Sequence, residues 1–108
     1  MIPPSGIEIV RSAIFHTPGN PFFEARGLQS FEDGALVFGN GKIAACGDYT
    51  EVRKQYPDAP VRDLRAGFIV PGFIDTHCHV ESSLLTPLEF DRCVLSHGVT
   101  TSICDPQR

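Results

Sequence analysis

Short apolar runs bounded by turn residues cover the first part of the chain and predict strands. One run occupies residues 7–15 and ends at the turn-rich segment 16–21, and residues 22–31 read as a connecting loop. Asp33-Gly34 and Asn40-Gly41 are turn signals that introduce the runs 35–38 and 42–46, which predicts a hairpin. A largely helical segment over residues 7–46 is therefore not expected.

Two helices are predicted from their N-terminal caps. Asp48 with Glu51 fits a capping box and starts a helix over residues 49–56, before Pro57. Thr86 with Glu89, and a proline between them, starts a second helix whose end is marked by a glycine suited to the C′ position.

Further apolar runs complete the predicted strands. Segments 61–64 and 68–70 flank a turn at 65–67, residues 71–79 read as a buried strand, and residues 99–104 read as the next one. The last two strands and the helix between them form one βαβ unit, which is right-handed by default. The preceding strands predict a small β-sandwich or a folded sheet.

Two histidines end the buried strand. Because alternate residues of a strand share a face, His77 and His79 point the same way as Asp75 and lie about 6–7 Å apart. This spacing suits two imidazoles that bind one metal ion, and a rigid strand is a good support for them. The alternative is that both histidines belong to a solvated turn.

The segment Pro-Gly-Phe-Ile-Asp-Thr-His-Cys-His at residues 71–79 resembles the first barrel strand of the amidohydrolase superfamily of metal-dependent hydrolases. The resemblance implies a (β/α)8 barrel with His77 and His79 as metal ligands at the C-terminal ends of its strands. It also implies a divalent metal, zinc first, with iron or manganese as alternatives.

Two branches of purine deaminases share the resemblance. Residues 14–21, the Asp33-Gly34 signal and residues 47–60 are similar to guanine deaminases. Val80-Glu81-Ser82-Ser83, where guanine deaminases usually have Tyr-Pro-Gln, is similar to adenine deaminases. Adenine deaminases continue Asp105-Pro106 with His-Glu, whereas this chain has Gln-Arg. The substrate therefore stays open, and a piece recombined from two deaminases is an alternative.

The resemblance implies an α+β fragment. Residues 1–66 are expected to be a β-rich, sandwich-like part of the composite domain, and residues 67–108 the incomplete start of the (β/α)8 barrel. A barrel needs about 250 residues, far more than the 108 present.

The expected function is that of the N-terminal portion of an aminopurine deaminase, guanine deaminase-like or adenine deaminase-like. In such enzymes a metal-activated water attacks the ring carbon that bears the amine, and ammonia leaves. The isolated chain is expected to be inactive, because two histidines do not make a catalytic zinc site. Another amidohydrolase, or a β-rich scaffold without catalysis, is the alternative.

Other polar residues near the strand ends are weaker candidates. Glu81 could contact the metal, the substrate or a ligand, or it could be a solvated glutamate. Asp75 is expected to accept a hydrogen bond, and Asp105 to start a turn. His97 is interpreted as a structural residue at the C-terminal end of a helix. His16 is interpreted as a surface residue.

Composition narrows the function classes. Hydrophobic residues make up 42% and the formal charge is -4, so disorder and nucleic-acid binding are disfavoured. No apolar run reaches the roughly 18 residues of a membrane span, so a cytoplasmic protein is expected. The four cysteines are expected to be reduced, buried thiols, with Cys78 packed opposite the histidines. Self-association through residues 68–104 is expected, since their apolar strands lack partners.

Overall fold

The computed structural model describes residues 6–104 and divides the chain into two compact units, between Val70 and Pro71. The first unit contains strands β1 (Glu8–His16), β2 (Gln29–Gly39) and β3 (Lys42–Asp48), helix α1 (Tyr49–Gln55) and strand β4 (Val61–Ile69). The second unit contains β5 (Phe73–Cys78), a short 3-10 helix (Val80–Ser83), α2 (Pro87–Leu95) and β6 (Val99–Cys104).

The first unit is a four-stranded sheet in the order β3-β2-β1-β4. β1, β2 and β3 pair antiparallel, whereas β4 is parallel to β1. Its core consists of buried apolar side chains from two central strands, α1 and the segment after α1: Ile9, Ala35, Val37, Val52 and Ala59. The prediction of strands over residues 7–46 is confirmed.

The prediction of a turn at Asp33-Gly34 is wrong, because both residues lie inside the continuous strand β2. The predicted loop over residues 22–31 accordingly ends earlier, where β2 starts at Gln29. Gly34 is needed for packing instead: a Cβ there would lie 2.7 Å from Cδ1 of Ile14. The sequence shows a glycine at this position, but it does not distinguish a glycine in a turn from a glycine where two strands approach closely.

The Asp33 side chain binds a neighbouring strand. Nε and Nη2 of Arg11 each donate to one carboxylate oxygen of Asp33 at 2.7 Å, and the guanidinium lies 3.9 Å from the ring centre of Tyr49. These hydrogen bonds hold the pKa of Asp33 below its usual value. The paired strands are therefore joined by a bidentate ion pair at this point as well as by their backbones.

The second turn signal and both helix caps are confirmed. Asn40 and Gly41 adopt φ values of 53° and 72° between β2 and β3, as a two-residue hairpin turn requires. Asp48 caps α1 by accepting from the backbone of Thr50. The carboxylate of Glu51, expected to complete a capping box, accepts from Lys54 at 3.1 Å.

β4 joins two segments that the sequence separates by a turn. Its register with β1 passes from Arg11 paired with Asp63 to Ala13 paired with Phe68, so residues 64–67 bulge out of the strand. The buried hydroxyl of Ser12 lies 2.9 Å from the carbonyl of Leu64 and 2.8 Å from that of Gly67. The turn signal was therefore interpreted correctly as an interruption, but pairing resumes beyond it.

The second unit is a parallel pair of strands connected by α2, as expected for a βαβ unit. Thr86 caps α2 by accepting from the backbone of Glu89, and Pro87 is its first residue. Gly98, with φ of 87°, lies two residues past the cap Ser96, one position later than expected. Its carbonyl accepts from the backbone of Phe73 at the start of β5.

Residues 73–78 form the strand β5, but the expectation that this strand is buried is wrong. Phe73 is 62% exposed and Ile74 is 59% exposed. Two strands and one helix offer too little surface to cover both faces of the pair. Other large apolar side chains of this unit are exposed as well: Leu84, Leu85, Leu88, Leu95 and Ile103. Among residues 6–104, no helix is long and apolar enough to cross a membrane.

Candidate metal centre at the end of β5

Both histidines lie where β5 ends. His77 is the penultimate residue of the strand, and His79 occupies the N-cap position of the 3-10 helix that follows. The backbone of Ser82 donates to the carbonyl of His79 at 3.2 Å, which closes the chain into this helix directly after the strand. The strand and the tight turn together fix the backbone on both sides of the pair.

An irregularity in the sheet lies at the same place. Asp75 pairs with Ser102 and Cys78 pairs with Cys104, so Thr76 and His77 together face the single residue Ile103. This is the geometry of a β-bulge, which twists a strand locally and redirects its side chains. The alternation of side chains that predicted a shared face for Asp75 and the two histidines does not hold through a bulge. Whether the two imidazoles lie together therefore follows from the distances between their atoms.

The two imidazoles converge. Nε2 of His77 lies 3.1 Å from Nε2 of His79, the ring centres are 4.9 Å apart, and the rings are nearly perpendicular at 81°. With one ring protonated at Nε2 and the other not, this distance is a hydrogen bond. With both rings protonated at Nδ1, each Nε2 atom carries a lone pair that can bind a metal.

The pair fits two positions around one metal ion. Two nitrogens bound to a tetrahedral zinc ion at about 2.0–2.1 Å lie about 3.3–3.4 Å apart, close to the observed separation. Neutral imidazole nitrogens suit zinc, copper, iron and nickel. The separation of the two Nε2 atoms is therefore compatible with binding of one metal ion by both rings.

A third protein ligand is not among residues 6–104, where no group of three or more histidine, cysteine or carboxylate side chains is arranged to hold a metal. Glu81 lies in the 3-10 helix directly after the histidines and does not complete such a group. Asp75 accepts a hydrogen bond from the backbone of His77 at 3.1 Å, as expected for a supporting residue. Asp105, the other carboxylate candidate, lies outside the described residues.

The remaining histidines lie in other parts of the chain. His97 follows α2, and its backbone donates to the carbonyl of Val94 at 3.0 Å. His16 ends β1 in the first unit, where Nε2 lies 3.1 Å from Oε1 of Gln29 and the ring stacks on Phe31.

Sequence reasoning missed a pair of thiols beside the histidines. The Sγ atoms of Cys78 and Cys104 are 3.3 Å apart, and this contact is the main cause that raises the pKa of Cys78. The expectation of buried cysteines is wrong: Cys93 and Cys104 are exposed, and Cys46 and Cys78 are partly exposed. The available signal was positional, because each of Cys78 and Cys104 ends one of two parallel strands.

Comparisons with known proteins find relatives among the deaminases. Residues 34–59 match the family model of an imidazolonepropionase-like composite domain of bacteria. Adenine deaminase 1 of Agrobacterium fabrum is 46% identical over 88 residues, which cover 82% of this chain and 14% of that protein. A probable guanine deaminase of Deinococcus radiodurans is 51% identical over 78 residues, covering 68% of this chain and 18% of the relative.

A solved structure extends the likeness to the fold. The guanine deaminase of E. coli matches with a TM-score of 0.65 and 29% identity, over 91% of this chain and 29% of that one. The chain resembles the purine deaminases of the amidohydrolase superfamily. It spans less than a fifth of the length of the two curated relatives described above. Its fold is a β-rich fragment with two helices that includes part of an amidohydrolase composite domain.

Both adenine and guanine deaminases are among the relatives, and one adenine deaminase matches on both sides of the point where the resemblance changes. Only 20 residues of the 108 lie outside an aligned stretch of 88, so the match to the Agrobacterium adenine deaminase includes residues on both sides of Val80, where the resemblance changes. A natural deaminase thus contains counterparts of both units in one chain, which argues against a recombined piece.

We predict that the chain binds one zinc ion through the histidine pair. His77→Ala and His79→Ala should each weaken zinc binding about tenfold or more, because each removes one of two protein ligands. Isothermal titration calorimetry on the 108-residue chain measures this directly. His97→Ala is the matched control and should bind zinc as the unchanged chain does. Undiminished binding by a chain that lacks both His77 and His79 would assign the metal to other residues.

Proposed function

We propose that this chain is the N-terminal portion of a metal-dependent aminopurine deaminase. The observation that carries the proposal is the 3.1 Å approach of the His77 and His79 Nε2 atoms at the end of a strand. The resemblance to adenine and guanine deaminases supports the same activity. A cytoplasmic location is part of the proposal.

The second unit is proposed to be the first βαβ unit of a (β/α)8 barrel, which follows a composite-domain part that ends at Val70. The parallel pairing of β5 with β6 and the helix between them support this assignment. The histidines lie at the C-terminal end of β5, which is the end of a barrel strand where active sites are built.

In the proposed reaction, water replaces the exocyclic amine of a purine base and ammonia is released. The site would hold a divalent metal, and zinc is the leading candidate, with iron or manganese as alternatives. The metal would act as a Lewis acid and lower the pKa of a bound water. His77 and His79 would hold the metal as neutral ligands. The Asp75 carboxylate accepts a hydrogen bond from the backbone N–H of His77 and would help to keep His77 in position.

Glu81 is the carboxylate that follows the histidine pair in the chain. It lies in the 3-10 helix that follows β5, two residues beyond His79. We propose that it contacts the substrate, because it directly follows the histidines and does not complete a metal-binding group with them. A negative side chain there could accept a hydrogen bond from the amine of the base.

The base is either guanine or adenine. Relatives of both kinds match at similar identity, 46% for the adenine deaminase and 51% for the guanine deaminase, and the likeness in fold is to a guanine deaminase. The segment Val80-Glu81-Ser82-Ser83 resembles adenine deaminases, whereas residues 14–21 and 47–60 resemble guanine deaminases, so the sequence motifs do not choose between the two bases.

A graft tests the activity. Residues 6–104 would replace the aligned segment of the Agrobacterium fabrum adenine deaminase 1, and ammonia release from adenine and from guanine would be measured. We expect the graft to be active, and His77→Ala or His79→Ala in it to lower activity at least about 100-fold, because each would remove a metal ligand. His97→Ala is the control that should keep activity.

Two results would contradict the proposal. One is a graft that folds and binds zinc but releases no ammonia from either base. The other is a graft that stays fully active without both histidines. The isolated 108-residue chain is expected to be inactive in the same assay, because it offers two of the three protein ligands that a catalytic zinc typically has.

A scaffold without catalysis is the second candidate. The first unit has its own core of five buried apolar residues, and its sheet is joined by the Arg11–Asp33 ion pair. A scaffold would bind no metal stoichiometrically, so the zinc titration separates the two candidates.

We also propose that the isolated chain self-associates through the apolar faces of its second unit. Phe73 on β5 and Ile103 on β6 are 62% and 56% exposed. Light scattering should therefore show larger species as concentration rises, and Phe73→Lys with Ile103→Lys should reduce them. Phe22→Lys with Phe23→Lys is the matched control, since these exposed side chains belong to a loop of the first unit. A chain that stays monomeric at high concentration would contradict the proposal.

A further inference from the structure

We infer that Cys78 and Cys104 form an oxidisable dithiol site, which closes into an intramolecular disulfide when it meets a low-molecular-weight disulfide such as oxidised glutathione. The site joins the C-terminal ends of β5 and β6, and the inference does not depend on the proposed deaminase activity.

The strand register brings the two cysteines opposite each other. Cys78 and Cys104 are Cα partners in the parallel pair of β5 and β6, and both are the last residues of their strands. Neighbouring strands lie about 4.7–4.9 Å apart, within the roughly 4.4–6.8 Å that Cα atoms of a disulfide span. The usual spacing of paired strands is therefore compatible with a disulfide between these two positions.

The sulfur atoms are already in contact. They are 3.3 Å apart, whereas a disulfide bond is about 2.05 Å long, so rotation of the side chains has to close the remaining distance. Sγ of Cys78 also lies 3.7 Å from the carbonyl of Ile103, which keeps this thiol directed across the pair. Both side chains are directed towards each other rather than to opposite sides of the sheet.

The pair is accessible to a small reagent. Cys104 is exposed and Cys78 is partly exposed. Cys93 is exposed on α2. Among residues 6–104 its sulfur atom is not in contact with another cysteine sulfur, so exposure alone does not make a dithiol site. Cys93 is therefore the natural internal control.

The chemistry balances in two exchange steps. The thiolate of one cysteine attacks oxidised glutathione, forms a mixed disulfide and expels one glutathione thiolate, which takes up a proton. The second cysteine then attacks the protein sulfur of the mixed disulfide, and the second glutathione leaves. In sum, two protein thiols lose two electrons and two protons, and one glutathione disulfide becomes two glutathione thiols.

The consequence is structural. Cys78 lies between His77 and His79, so the new bond would fix the bulged end of β5 to the end of β6. This strand end then holds two kinds of reactive group: imidazoles that converge on one side and thiols that face the neighbouring strand.

The test is oxidation of the 108-residue chain by oxidised glutathione, followed by alkylation of free thiols and mass spectrometry of the peptides. We expect the loss of two of the four thiols, a peptide pair linked between Cys78 and Cys104, and a Cys93 that stays alkylated as a free thiol. Electrophoresis without reductant should show no new dimer. Reduction with dithiothreitol should restore all four thiols.

Matched variants sharpen the result. Cys104→Ser should leave Cys78 as a free thiol or a stable glutathione adduct, and Cys93→Ser should form the same linked peptide pair as the unchanged chain. The inference is overturned if both cysteines of the unchanged chain end as separate glutathione adducts, if the bond forms between chains, or if Cys93 oxidises as readily as the pair.

Discussion

The parallel pairing of β5 with β6 is the constraint on which the reactive part of this chain depends. Parallel strands end at the same edge, so the residues that end β5 and β6 are brought together without any further device. The bulge opposite Ile103 then changes the direction of the strand just where the histidines occur. The close approach of the two histidines and the contact between the two thiols both follow from this short sheet. Helix α2 connects its two strands.

The first unit is organised differently. Its two central strands contribute three of the five residues of a small buried core, and α1 and the segment after it supply Val52 and Ala59. Gly34 lets Ile14 approach β2 closely, and Arg11 binds Asp33 across the same pair of strands. This unit is stabilised by local packing, and its match to a composite-domain model fits a supporting role.

Local chemistry made much of the fold predictable. The caps at Asp48 and Thr86 and the Asn40-Gly41 turn each depend on a few adjacent residues, and the structure shows all three. Asp33-Gly34 was misread because a glycine that avoids a clash with a distant side chain looks the same in sequence as a glycine in a turn. The length of β4 was underestimated for a related reason, since pairing with β1 resumes after the bulge at residues 64–67.

The candidate site was predictable in part. The His-x-His pattern and the resemblance identified His77 and His79, whereas the bulge that changes the alternation depends on pairing with β6 and leaves no mark in β5 alone. The thiol pair was missed because its members are 26 residues apart in sequence, and they become neighbours only through the strand register.

The central claim is that one strand end directs both imidazoles to a single metal ion. Long-range nitrogen–proton correlation NMR of the histidine rings, recorded during a zinc titration, tests it most directly. The account predicts that the Nε2 signals of His77 and His79 shift together, saturate at the same zinc concentration and leave both rings protonated at Nδ1. A shift of only one of the two rings, or binding through Nδ1, would contradict it.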